Sequence, residues 1–139
     1  MSKFIDCVKL YSDGGCKRNP GPGAIAFIIY DCSGIILESH YECVGETTNN
    51  RAEYLALIKG LDYTAKHTRR SVICFLYSDL VIKQVTGVFR LKNRELRRLF
   101  QEVKNKERSF NDVKYQHLKR TNPLIQKVDR LVKLALEGR

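Results

Sequence analysis

Apolar residues recur along this chain with two different periods, and the switches between them divide it into elements. Residues 4–12 set Phe4, Ile5, Cys7, Val8, Leu10 and Tyr11 in partial alternation with polar neighbours, then stop at Asp13-Gly14-Gly15. A strand running into a turn is the expectation. Two Pro-Gly pairs, Pro20-Gly21 and Pro22-Gly23, punctuate a loop before the β-rich run Ala24–Tyr30, and Asp31-Cys32-Ser33-Gly34 forms the next turn. A third strand over residues 35–44 completes an antiparallel meander.

From Asn50 the period lengthens. Tyr54, Leu57, Ile58, Leu61 and Ala65 recur at helical spacing, predicting a helix over residues 51–67. Val72–Tyr77 has the length of a buried strand, and Leu80–Val85 reads as a brief helix ended near Gly87. Leu96, Leu99, Phe100 and Val103 form a second long helical stripe within residues 92–108. Residues 113–118 suit a fifth strand, and Pro123 opens a last helix patterned by Leu124, Val128, Leu131, Val132 and Ala135.

The order is three strands, helix, strand, helix pair, strand, helix. Hairpin connections make strands 1–3 antiparallel, whereas helical crossovers make strands 1, 4 and 5 parallel, so an α/β fold with one five-stranded mixed sheet is expected. Repeats, low-complexity tracts and linkers are absent, and 139 residues suit a single domain spanning residues 1–139.

Charge changes this picture at one end. Residues 1–83 carry 10 basic and 9 acidic side chains, whereas residues 84–139 carry 15 and 6. The C-terminal part is the natural footprint for a polyanion, although basic residues also solubilise helix surfaces. The five cysteines are scattered without a CxxC pair, which suggests neither a zinc site nor a disulfide framework and predicts reduced thiols. Neither a signal-peptide pattern nor a membrane-length apolar run occurs. A soluble cytoplasmic monomer is the corresponding expectation.

Against this basic background, four acids stand where the fold can gather them: Asp13, Glu53, Asp79 and Asp129. Each has an ordinary local role available. Asp13 can start a turn, Glu53 can close a capping box with Asn50, Asp79 can cap a helix, and Asp129 can be one solvated helical position. Their joint placement says more. Asp13 and Asp79 follow strands 1 and 4, which parallel pairing makes neighbours, while Glu53 and Asp129 lie on helices able to cover that edge.

The segments YSDGGCKRNPGPG, TTNNRAEYLAL, YSD after an apolar strand and VDRL in a C-terminal helix resemble type 1 ribonuclease H across nearly the whole chain. The resemblance implies the ribonuclease H fold and endonucleolytic hydrolysis of the RNA strand of RNA/DNA hybrids, leaving 5′-phosphate and 3′-hydroxyl ends. It places Asp13, Glu53, Asp79 and Asp129 on the family's metal-binding carboxylates. Four carboxylates in one pocket repel one another, and hard oxygen donors suit Mg²⁺ or Mn²⁺. Two ions are expected with substrate, with Asp13 bridging them, Glu53 and Asp79 completing one side and Asp129 the other.

The same resemblance puts Asn19, Asn49 and Asn50 on minor-groove contacts to the hybrid and Thr48 on a DNA-strand phosphate. Amide side chains can read a ribose 2′-hydroxyl, though Asn19 can equally shape its loop and Thr48 or Asn50 cap a helix. Gly14 leaves the backbone open to a phosphate. The form represented here lacks the separate basic protrusion of some relatives; Arg94, Arg97 and Arg98 supply its basic outer face. Double-stranded RNA is a second candidate ligand, and no membrane partner is expected.

Two departures from the family pattern fall at the third and fourth acids. Asp79 runs directly into Leu80-Val81-Ile82-Lys83-Gln84, as if about two residues were missing, and Ile125 stands where relatives carry Asn four residues before the last acid. His117 falls on a strand rather than in the loop where some relatives place a histidine. Lys119 or Arg120 remains as a charge near the site, with packing or exposure as the ordinary fate of each, and His40 and His67 have no evident acidic partner. Two competing functions stay open: a hybrid-binding module with impaired catalysis, and a metal-dependent DNA junction resolvase or strand-transfer enzyme of the same fold.

Overall fold

The computed structural model describes residues 5–138. The first predicted strand began at Phe4, which lies outside that range. In chain order the elements are β1 (Cys7–Cys16), β2 (Gly21–Asp31), β3 (Ile36–Thr47), α1 (Asn49–Thr64), β4 (Ser71–Leu76), α2 (Asp79–Val85), α3 (Arg94–Glu107), β5 (Asp112–His117) and α4 (Pro123–Glu137). The strands form one sheet ordered β3-β2-β1-β4-β5. β1, β2 and β3 pair antiparallel, and β4 pairs parallel with both β1 and β5.

The period-2 alternation divides each central strand between two cores. Val8, Leu10, Phe27, Ile29, Val72, Cys74 and Leu76 face one side, where they meet Tyr54, Leu57 and Leu61 of α1, Val81 and Val85 of α2, and Leu99 and Val103 of α3. Tyr11, Ala26, Ile28, Tyr30 and Phe75 face the other and are covered by Ile125, Val128 and Val132 of α4. The parity matters for function: Asp13 continues the Tyr11 face toward α4, whereas Gly14 continues the Leu10 face toward α1.

The hairpin is longer than its glycines suggested. Asp13-Gly14-Gly15 lies inside β1 instead of forming a turn, because Gly14, Gly15 and Cys16 pair with Ile25, Ala24 and Gly23 of β2. β2 correspondingly begins at Gly21, and the Pro22-Gly23 stretch is accommodated by a register shift against β3 between Gly23 and Ala24. Helix α1 starts earlier than its apolar period because Thr48 caps it, its hydroxyl accepting from Arg51 N–H at 3.3 Å. Ser78, not Asp79, caps α2, while Asn93 caps α3. Asn122 caps α4, accepting from Leu124 and Ile125 N–H, with Pro123 in its first turn.

Two sequence expectations are corrected by the structure. Cys7 and Cys32 form a disulfide between the start of β1 and the β2–β3 turn, so the five cysteines are not all reduced; Cys16, Cys43 and Cys74 are free. The antiparallel register brings Val8 opposite Asp31 and so closes a gap of 25 residues. His40 and His67 do find acids, with Nε2 2.8 Å from Glu42 Oε1 and 3.2 Å from Glu38 Oε1 respectively. Among the described residues no helix is long and apolar enough to cross a membrane.

Candidate active site

Where β1 ends against the first turn of α1 and the middle of α4, a cleft of about 370 Å³ opens. Asp13, Glu53 and Asp129 line it, together with Asn49, Asn50, Tyr77, Ser78, Arg120 and Lys133. Gly14 makes this convergence sterically feasible. A Cβ there would lie 2.3 Å from the Ala52 carbonyl oxygen and 2.8 Å from Glu53 N, so only glycine lets α1 approach β1 this closely. Its N–H donates to Glu53 Oε1 at 2.7 Å, which turns the glutamate back across the strand toward Asp13. Glu53 is therefore used across the β1–α1 contact.

Burial sets the electrostatics. Asp13 is 4 % and Glu53 8 % exposed. Loss of water raises the Asp13 pKa above the ordinary aspartate value; the hydrogen bond from Glu53 and the charge of Arg120 oppose that rise, and Asp129 adds to it. Glu53 is pushed well above its usual range, by burial first and then by the charge of Asp13 and a hydrogen bond to it. Both acids therefore favour their neutral forms more than a free carboxyl does, and the hydrogen bond between them makes Glu53 the better placed to hold a shared proton.

Arg120, in the turn between β5 and α4, lies across the other acids. Its Nη1 is 3.3 Å from Asp129 Oδ1 and 3.5 Å from Asp13 Oδ2, and the guanidinium carbon stands 3.8 Å from the Tyr77 ring centroid. Lys133, one turn beyond Asp129, contributes a second cation 3.1 Å from its Oδ2. Sequence patterning named Arg120 only as one of two candidate charges and passed over Tyr77 and Lys133. The i,i+4 spacing of Asp129 and Lys133 was the available signal for the latter; the Arg120–Tyr77 stack has no local one.

Asp79 stands apart. It occupies the first turn of α2, is half-exposed, and places Oδ2 2.9 Å from Lys83 Nζ. Ser78 lines the cleft and Asp79 does not. The structure therefore brings three of the four acids together. Among the described residues no set of three or more His, Cys, Asp or Glu side chains is arranged as a metal cage. The donor chemistry nevertheless fits a hard cation, for Asp13 and Asp129 offer carboxylate oxygens to one point and the Arg120 guanidinium already sits between them as a stand-in positive charge.

Of the predicted nucleic-acid residues, Gly14, Asn49 and Asn50 line the cleft, and Asn19 and Thr48 lie in the groove next to it. Asn49 Oδ1 accepts from Cys16 N–H at 3.2 Å, and Asn49 N–H donates to Asn19 Oδ1 at 3.1 Å. A neighbouring groove is lined by Asn19, Thr48, Asn49, Asn50, Arg51 and Asn93, so the β1–β2 loop, the start of α1 and the start of α3 share a surface. Arg94, Arg97 and Arg98 are exposed on α3. Gly14 is accounted for by its contact with α1.

A family profile described as reverse transcriptase-like matches residues 11–135. The chain is 32% identical over 130 residues to ribonuclease HI of Halobacterium salinarum, covering 94% of this chain and 64% of that protein. It is 30% identical over 133 residues to the bifunctional protein Rv2228c of Mycobacterium tuberculosis, covering 94% of this chain but only 36% of the relative. It thus spans about a third of the mycobacterial protein and just under two thirds of the archaeal one. The crystal structure of the Halobacterium RNase H1 superposes with a TM-score of 0.90 at 31% identity, covering 96% and 99% of the two chains. LC11-RNase H1 in complex with an RNA/DNA hybrid superposes with a TM-score of 0.86 at 31% identity, covering 94% and 97%.

Proposed function

This chain belongs to the reverse transcriptase-like family of ribonuclease H domains, and we propose that it is an endonuclease hydrolysing the RNA strand of RNA/DNA hybrids. The observation that carries the reading is the convergence of Asp13, Glu53 and Asp129 in one cleft beside Asn49 and Asn50. Three acids crowded where two are nearly water-free suit a cation better than one another. Asp13 and Asp129 would hold it, with Glu53 joining once its proton is lost; Asp79 joins only if its ion pair with Lys83 opens. Bound Mg²⁺ or Mn²⁺ supplies Lewis acidity toward a phosphate oxygen and a water of lowered pKa, and two ions with 5′-phosphate products are part of the proposal.

The chain's own groups supply recognition and protons. With the Asn49 carbonyl oxygen taken by Cys16 N–H and the Asn19 carbonyl oxygen by Asn49 N–H, their amide nitrogens are the donors a ribose 2′-hydroxyl would meet. Thr48, in the adjoining groove, suits a phosphate of the DNA strand. Arg94, Arg97 and Arg98 would hold the polyanion by charge, in a salt-dependent way. Asp13 and Glu53 orient the attacking water.

A labelled hybrid incubated with Mg²⁺ or Mn²⁺ tests this directly. RNA cleavage is expected from the wild type and its loss from Asp13→Asn; cleavage undiminished in Asp13→Asn, or absent from the wild type, refutes the reading. The withdrawn position of Asp79 favours one second reading, a hybrid-binding module with impaired turnover. Hybrid retention without product formation would select it, and branched DNA and double-stranded RNA in the same assay separate the remaining substrates.

A further inference from the structure

We infer that Arg120 is a resident counterion of the unloaded site and that divalent metal binds by displacing its guanidinium from Asp13 and Asp129. The inference rests on the metal-dependent reading above. One guanidinium nitrogen contacts both carboxylates, at 3.5 and 3.3 Å, so it occupies the point at which a bridging cation gains most from the pair. A dication there and an arginine there are mutually exclusive, since like charges a few ångströms apart repel strongly in a partly buried site. Metal loading therefore includes breaking both contacts.

Tyr77 gives this exchange a defined second half. The guanidinium carbon lies 3.8 Å from the ring centroid, and stacking on an aromatic face does not require the carboxylates. Arg120 is 44 % exposed and held from a short turn rather than from within a helix, so it can swing outward while remaining on the ring. Lys133 differs: among the described residues its ion pair is with Asp129, it is more exposed, and it lies on α4 beside that partner. It can neutralise Asp129 without occupying the point shared with Asp13. The two cations consequently make different predictions for metal affinity.

The test is calorimetric titration of Mg²⁺ and Mn²⁺ into the metal-free full chain, with wild type, Arg120→Ala, Arg120→Lys, Lys133→Ala and Asp13→Asn compared, alongside NMR observation of the Arg120 Nε–Hε signal. Arg120→Ala is expected to bind metal on the order of tenfold more tightly than wild type, and Arg120→Lys to fall between them because it keeps charge without the planar stack. Lys133→Ala should change affinity by much less. The Arg120 signal should shift with metal occupancy in the wild type and stay still in Asp13→Asn. Unchanged affinity in Arg120→Ala, or equal tightening in Lys133→Ala, overturns the exchange while leaving the metal site standing. Absence of binding in every variant overturns the metal reading itself, and the exchange with it.

Discussion

Replacing Glu53 by Gln is expected to stabilise the metal-free protein at neutral pH while abolishing its cleavage activity. The substitution keeps the shape of the protonated acid: the amide oxygen can still accept from Gly14 N–H, now at 2.7 Å, and the amide nitrogen can donate to Asp13. What it removes is an ionisable group that is 8 % exposed and shares its surroundings with another buried carboxylate. Arg120 gives little relief, being placed on Asp13 and Asp129. A buried polar group whose needs are incompletely met costs about 1–3 kcal/mol, so replacing the ionisable acid by a neutral amide should yield a gain of that order. An unfolding entropy of roughly 2.1 cal/mol/K per residue turns that into a Tm rise of about 3–10 °C for a chain of this length.

The sign fixes the pH dependence. Glu53 and Asp13 both have folded-state pKa values above their ordinary ones, so the native state binds more protons than the unfolded chain between those values. Their contribution to stability is present below ordinary carboxylate pKa and is lost as pH rises through the folded values. Differential scanning calorimetry from pH 4.5 to 8 in chelator should show the Glu53→Gln advantage growing with pH. Mg²⁺ should raise the Tm of the wild type more than that of the variant. A variant no more stable than wild type at pH 8, or one whose advantage shrinks as pH rises, would refute the account of Glu53 as a strained buried acid.

Other outcomes follow from separate contacts. Gly14→Ala forces a methyl against the Ala52 carbonyl, and urea denaturation should show a loss of about 2–4 kcal/mol together with loss of cleavage. Tyr54→Phe removes the hydroxyl that donates to Gln84 Oε1 at 2.8 Å and ties α1 to α2; a cost of about 1–2 kcal/mol is expected in the same assay, with both residues buried. Asp79→Asn should reduce cleavage by much less than Asp13→Asn if Asp79 keeps its ion pair with Lys83 during turnover, a comparison read from single-turnover rates. The combined Arg94, Arg97 and Arg98 to Ala variant should bind hybrid with a flatter dependence of log affinity on log salt, measured by fluorescence anisotropy.

Element types and sheet topology were legible in the chain because hydrophobic period is a local property. Leu10, Phe27 and Cys74 on one face, and Tyr11, Ile28 and Phe75 on the other, follow from alternation alone once strands pair. The motifs singled out Asp13, Glu53, Asp79 and Asp129, of which Asp13, Glu53 and Asp129 line one cleft and Asp79 does not. Strand ends were less legible. Asp13-Gly14-Gly15 has the composition of a turn, yet it pairs with β2 because the partner strand supplies hydrogen bonds that composition does not report.

What only the tertiary structure decided is which charges face one another. Asp79 lies beside three cleft residues in the motif logic but turns to Lys83, its own i+4 neighbour, leaving Ser78 at the cleft. Arg120 reaches Asp13 from 107 positions away, Cys7 reaches Cys32 through the hairpin register, and His67 finds Glu38 across two elements. The sequence by itself determined the alternations and the presence of acids in specific motifs, both of which depend on near neighbours. Side-chain direction at the ends of elements, and with it the pairing of Arg120 with Asp13 and Asp129, depends on where separate elements stop relative to one another, a property no single segment of the chain contains.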